Sequence, residues 1–281
     1  MGQSADGNGR QLLRRPDGAF DGPNPASLPA SYLQRPDIFL STRLSFTMSK
    51  IIGSLVFVAA LLWAQTSPSV RLDAPLLTAA DEGKVNEVKS LLKRGASPNA
   101  ANTDGNTLTA LMLAARGGHS SVVRLLLDAG ANVDTTATVA VGASGVNAGL
   151  TALMEAAASG DAATVQLLFE HKANPNAKAI YEVTDLTGAT HSAGCRPVIM
   201  HAVNLAVLRL LAEHGADLHI KDCDGNSVLM FAAEDLDAAA VQYLLAKGLD
   251  PREHNSKGLT ALDLAKQAEK TENLEILRAA H

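Results

Sequence analysis

The constraint that governs this chain is a repeat of 33 residues, whose clearest copy is residues 222–258, DCDGNSVLMFAAEDLDAAAVQYLLAKGLDPREHNSKG. A polar turn at 222–225 leads into a short Ala-rich helix at 228–233. A break at 234–237 follows, then a second helix that stops at Gly248, and the turn at 255–258 opens the next copy. Two helices this short cannot bury both of their apolar faces alone, so a chain built from such units must stack them into one continuous core.

The first helix recurs as DAPLLTAA, TALMLAA, TALMEAA, RPVIMHA, SVLMFAA and TALDLAK. With Ala74, Thr109, Thr151, Arg196, Ser227 and Thr260 as equivalent positions, the spacings are 35, 42, 45, 31 and 33 residues. Second helices begin at Val85, Ser120, Ala162, Leu205 and Ala238, and their apolar residues fall three and four apart, as in Val122, Leu125 and Leu126. This spacing predicts one buried stripe per helix. Gly95, Gly130, Gly215 and Gly248 close these helices, where a left-handed residue is cheapest as Gly. Lys172 holds that place in the third unit and is expected to be strained.

Helix, short loop, helix, a G-A-D/N-x-N segment, a D-x-x-G turn and T-A-L, recurring at this period, resemble the ankyrin repeat over residues 73–281, as five repeats and a C-terminal capping repeat. The resemblance implies an all-α solenoid of stacked antiparallel helix pairs with β-hairpin fingers. It also implies a non-enzymatic module that binds a protein partner through its fingers and first helices. The family's T-P-L-H becomes T-A-L-M at Thr109 and Thr151, S-V-L-M at Ser227 and P-V-I-M at Pro197. Thr109, Thr151 and Ser227 still offer a capping oxygen. Met112, Met154 and Met230 replace the family's His and are expected to fill core, as is Ile199 in the register of the fourth unit.

Two fingers are overlong. Residues 134–150 exceed the period by nine and residues 177–197 by twelve, and each carries a β-branched run before a Gly turn. They predict extended hairpins side by side on the stack. The fourth unit has lost two residues between Ala202 and Leu205, in the loop that joins its helices, which should notch the concave face beside those fingers. Tyr181 and its neighbour Glu182 are the first candidates for partner contact, since Tyr is enriched among binding hot spots. Asp81, Glu82, Arg116, Glu234 and Asp235 occupy the loops along the same groove and complete the candidate set, with the acidic residues favouring a basic partner segment.

Composition narrows the function classes. A net charge of -5 gives no sign of phosphate neutralisation, so nucleic acid is not an expected partner. No G-x-S-x-G, H-E-x-x-H, Walker-type or dinucleotide-binding motif is present, and no cofactor is implied. His191 and Cys195 have ligand-like spacing, but no second pair completes a metal site, which leaves an enzyme built on the inserted fingers as an unsupported alternative. Cys195 and Cys223 lie in consecutive fingers. Export would permit a disulfide between them, and their offset in the repeat register leaves that pairing open.

The N-terminal region follows other rules. Residues 1–47 are rich in Pro, Gly, Asp and Ser without a sustained period, and read as a disordered or upstream extension. Residues 48–64 (MSKIIGSLVFVAALLWA) have a basic start, an apolar run too short to span a bilayer and a small residue at the end. They read as a signal peptide beginning near Met48, with residues 65–72 as a linker. The chain is then expected to be secreted or periplasmic, and monomeric. An uncleaved 51–64 segment would instead make it a membrane-anchored scaffold.

Overall fold

Helix pairs stack in register because each unit exposes on one side the apolar stripe that the next unit covers. The computed structural model describes residues 68–103, 105–141, 145–184 and 190–280. The upstream extension and the signal-like segment lie outside them. In chain order the inner helices are α1 (Pro68–Asp81), α3 (Ala110–Arg116), α5 (Ala152–Ser159), a 3-10 turn (Val198–His201), α8 (Val228–Asp235) and α10 (Ala261–Gln267). The outer helices are α2 (Val85–Lys93), α4 (Ser120–Asp128), α6 (Ala162–Glu170), α7 (Leu205–Glu213), α9 (Ala238–Ala246) and α11 (Thr271–Ala280). Each inner element packs on the next inner element, and each outer helix on the next outer helix. The first helix starts at Pro68, so residues 68–72 of the expected linker are helical.

Caps and core follow the repeat. Thr109, Thr151, Ser227 and Thr260 accept the backbone N–H three residues on, at 3.2 to 3.3 Å. Met112, Met154, Met200 and Met230 are buried in the spine of the stack. Pro197 stands at the cap position of the fourth unit and offers no hydroxyl, and the inner element there is a single 3-10 turn. The structural register of that unit therefore starts at Pro197 and not at Arg196, which aligns Met200 with the other three Met residues.

In that register the unit lacks three residues and not two, and they are taken from the helix itself and not only from the loop. Asn204 bridges the gap: its Oδ1 accepts from Val207 N at 2.9 Å, and its Nδ2 donates to the Gly160 carbonyl of the third unit at 3.1 Å. A cap of this kind contributes about 1 kcal/mol.

A second set of hydrogen bonds links the turns beyond the outer helices. Asn99 Oδ1 accepts from Asn132 N at 2.8 Å, Asp134 Oδ1 from Asn174 N at 2.9 Å, and Asn176 Oδ1 from Asp217 N at 2.9 Å. Each bond joins one unit to the next. His219 occupies the corresponding position of the fourth unit, and among the described residues the ladder ends there. An ion pair between Lys221 and Glu253, at 3.4 Å, joins the fourth and fifth units instead.

The description all-α needs correction, because the two long fingers form a four-stranded antiparallel sheet in the order β1 (Ala137–Val141), β2 (Gly145–Leu150), β3 (Lys178–Thr184), β4 (Thr190–Pro197). The fingers pair with each other as well as within themselves, and one row crosses the sheet through Val139, Asn147, Tyr181 and Gly194. Gly149 permits that union. Its φ is +78°, and a Cβ there would lie 2.9 Å from the Lys178 carbonyl oxygen. The preceding turn covers the outer edge of β1: Thr107 N donates to Thr138 O, and Ala140 N donates to Asn106 Oδ1, both at 2.9 Å. Such cover blunts an edge that would otherwise invite strand addition.

Lys172 closes α6 with φ at +66°, a left-handed conformation that costs a side-chain-bearing residue about 1 kcal/mol. Lys172→Gly is expected to stabilise the protein by up to about 1 kcal/mol, a rise of roughly 2–4 °C in Tm. A thermal melt checks this, and an unchanged or lower Tm contradicts it.

Candidate protein-docking site

The short fourth unit opens two cavities of about 340 Å³ each on the inner side of the stack. One lies against the finger sheet and is lined by Asn147, Tyr181, Gly194, Cys195, Asp222 and Asp224, among others. The other lies where the missing residues would stand, between Ala158 of the third unit and Phe231, Asp235 and Leu236 of the fifth, with Met200, Ala202 and Val203 completing its wall. Arg196 and His201 line both, so the two form one groove divided by those side chains. Val203 is 53% exposed, the most of any large apolar residue among the described residues, beside the shortened element.

His201 carries the sharpest chemical signature. Its Nε2 is buried without a hydrogen-bond partner. Burial, and then the Arg196 charge, push its pKa down to about 4. A backbone hydrogen bond to Arg196 acts in the opposite sense, favouring the protonated ring. The imidazole is therefore neutral at pH 7. Arg196 lies 5.5 Å from the centroid of Phe231, its cation over the ring.

The sequence candidates divide. Tyr181 and Asp235 line the groove. Asp81 and Arg116 pair with each other at 3.4 Å, and Glu82 pairs with Lys84, all in the first two units and away from the notch. Glu182 sits in the sheet opposite Val146 and Ser192, and neither it nor Glu234 lines either cavity. Arg196, His201, Phe231, Asp222 and Asp224 are additions. Phe231 and His201 occupy the same repeat position as Leu113 and Glu155, where sequence alone reads ordinary core. Glu155 is half-buried, and desolvation raises its pKa while the nearby Arg116 charge lowers it.

Cys195 and Cys223 are bonded, with their Cα atoms 5.1 Å apart and a sequence separation of 28. The bond fastens β4 to the turn that carries Asp222 and Asp224, and so fixes one wall of the groove. Asp222 is held further by accepting from Asp224 N and Asn226 N, at 3.0 and 2.8 Å.

These features define a class: a repeat solenoid that presents a rigid concave surface and a finger sheet, with a groove at its one irregular unit. Comparison with known proteins specifies it. The family model described as ankyrin repeats (3 copies) matches residues 52–138, 76–179 and 199–281, together well over half of the chain. The chain belongs to the ankyrin-repeat family, whose repeats serve as protein-binding modules.

It is 30% identical over 159 residues to the ankyrin repeat and SAM domain-containing protein 6 of Danio rerio. The match takes in 56% of this chain but only 18% of that protein, so the chain spans about a fifth of the relative's length. It also resembles a chain in the solved structure of the Bd0816 predatory endopeptidase from Bdellovibrio bacteriovorus in complex with immunity protein Bd3460. That likeness has a TM-score of 0.56 and 25% identity, over 73% of this chain and 97% of the other.

Two outcomes follow from the site geometry. Cys195→Ser with Cys223→Ser, or reduction of the wild type, should lower stability by about 3 to 4 kcal/mol on denaturant unfolding, the effect of opening a loop of this length. An unchanged midpoint contradicts a bonded pair.

The second outcome concerns pH. Because the folded pKa of His201 lies below its unfolded value of 6.5, the unfolded chain takes up the proton first as the pH falls. Stability from this group is present above pH 6.5 and lost toward pH 4, by up to roughly 3 kcal/mol. The wild type should lose more stability than His201→Leu across that window, and equal losses contradict the assignment.

Proposed function

We propose that this chain is an exported binding protein that grips a protein partner with its finger sheet and the groove of the fourth unit. The observation that carries this reading is the coincidence of three irregularities at one place: two overlong fingers joined as a sheet, a shortened inner element beside them, and a cavity pair lined by His201, whose Nε2 is unbonded. Local departures from a repeat concentrate where specificity is needed. The surface is preformed, so affinity would come from a few anchors and not from folding on contact.

Export is supported by the signal-like residues 48–64 and by the bonded cysteine pair, which belongs to oxidising compartments. Among the described residues no helix is long and apolar enough to cross a membrane. A mature N-terminus near Gln65 is the expected result of sequencing the exported protein, and retention of Met1 contradicts it.

A finer reading concerns the partner. The similar solved structure pairs a peptidase with an immunity protein, which favours an exported enzyme whose surface the groove covers. Affinity capture from the exported fraction tests the reading, with captured proteins identified by mass spectrometry. Shortening the fingers to the 33-residue pattern, or Val203→Arg at the exposed rim of the groove, should each abolish the capture seen with the wild type. Equal capture by all three removes the fingers and the groove from function.

A further inference from the structure

Among the described residues, hydrogen bonds join each finger to the next at every junction but one. The 106–107 turn meets β1: Thr107 N donates to Thr138 O, and Thr138 N and Ala140 N donate to Thr107 Oγ1 and Asn106 Oδ1. The two long fingers pair through β2 and β3. At the far end the 222–226 turn meets the turn ahead of α10, where Ser256 N donates to Asp224 O at 2.9 Å and Asn255 Nδ2 to Asn226 Oδ1 at 2.8 Å. Between β4 and the 222–226 turn no hydrogen bond is found among the described residues, and the Cys195–Cys223 disulfide stands in its place.

Each side of this seam is held together without the disulfide. On one side the sheet is anchored through the cover on β1 and, at its base, by Val198 N donating to Ala177 O at 3.0 Å. On the other, Asp222 accepts from Asp224 N, Asn226 N and Asn226 Nδ2, which fixes the turn against the units that follow. Asn176 ties the base of the two fingers: its Oδ1 accepts from Asp217 N at 2.9 Å, and its Nδ2 donates to Gly215 O at 3.1 Å. The seam thus has a hydrogen-bonded base and one covalent closure beyond it. Asn147, Tyr181 and Gly194 line the cavity of the finger sheet from one side of the seam, and Asp222 and Asp224 line it from the other. The closure therefore sets the width of that cavity. Cys223 is exposed and Cys195 half-buried, which leaves the bond within reach of a dissolved thiolate.

Resting on the protein-binding reading above, we propose that this disulfide is a reducible clasp on the groove. Oxidised, it holds the finger sheet against the turn of the fifth unit and keeps the groove in its binding shape. Reduced, it frees the sheet along the seam while the helical stack stays folded. The reductant is a dithiol. Its thiolate attacks Cys223 Sγ, the S–S bond breaks, and Cys195 leaves as a thiolate that takes up a proton. The dithiol's second thiol gives up its proton and displaces Cys223 from the mixed disulfide, and Cys223 is protonated in turn. The dithiol ends as a disulfide, and two electrons and two protons have passed to the cysteine pair.

Hydrogen exchange on the intact protein, before and after dithiothreitol, tests this without a partner. Opening a covalent loop acts on the unfolded chain and weakens all helices alike, whereas a clasp acts on the folded state and in one place. The reduced protein should keep its helical circular dichroism. In the first minutes, when exchange proceeds through local opening, residues 145–150, 178–184 and 198–204 should exchange about 10-fold or more faster after reduction, and the outer helices 120–128 and 238–246 no more than about twofold faster. Reoxidation should restore the first pattern. Cys195→Ser with Cys223→Ser should show the reduced pattern with or without dithiothreitol, and the wild-type comparison keeps the test valid if that variant fails to fold.

The proposal is overturned by a bond that resists dithiothreitol until the protein is denatured, by loss of helical circular dichroism on reduction, by unchanged exchange, or by faster exchange in all helices alike. Failure of the protein-binding reading is distinct, because it shows as a partner capture that ignores finger shortening and Val203→Arg, whatever the exchange pattern. A partner captured through the fingers equally well by the oxidised and reduced forms overturns control by the clasp and leaves the partner.

Discussion

The hydrogen bonds that Asn99, Asp134 and Asn176 accept from the backbone of the following unit set the geometry on which the rest depends. Burial of the inner and outer helices drives stacking, but apolar contact tolerates sliding, and a side-chain-to-backbone bond does not. Fixing the turn beyond each outer helix fixes where the next finger leaves the stack. The long fingers therefore emerge at a spacing that lets β2 and β3 pair, with Gly149 allowing their closest approach. Among the described residues the ladder reaches the fourth unit, where His219 takes the accepting position, and the ion pair of Lys221 with Glu253 joins the fifth.

That change coincides with the irregular unit. Pro197 and a deficit of three residues in the structural register reduce an inner helix to one 3-10 turn, and the space that this turn vacates becomes a cavity walled by the units on either side. Asn204 satisfies the Gly160 carbonyl that a full-length loop would otherwise cover, and the disulfide ties β4 to the next turn. The site is an interruption of the repeat, held open by specific bonds on each side.

Much of the fold was legible from the repeat. The cap residues Thr109, Thr151 and Ser227, the buried Met112, Met154 and Met230, the strained Lys172 and the existence of two hairpins all follow from positions within a period of 33. Pairing between the hairpins was not legible, because strand register across 30 residues depends on how the intervening helices seat. The site was half legible. Tyr181 and Asp235 were found through the insertion and the loop, whereas His201 and Phe231 sit at positions that elsewhere hold Leu113 and Glu155 and signal nothing by type. Asp81, Glu82 and Arg116 shared the loop pattern but neutralise one another or a neighbour far from the notch. A one-residue ambiguity at Arg196 and Pro197 also concealed His201, since only the structural register places it on the concave row.

The central claim is that the interruption, and not the regular face of the solenoid, is where a partner binds. Hydrogen exchange of the complex with its captured partner tests this most directly. The account predicts slowed exchange in the finger strands 137–141, 145–150, 178–184 and 190–197, across 198–204 and at the end of α8 up to Leu236. Protection confined to the outer helices 205–213 and 238–246, with the fourth-unit turn unchanged, would contradict it.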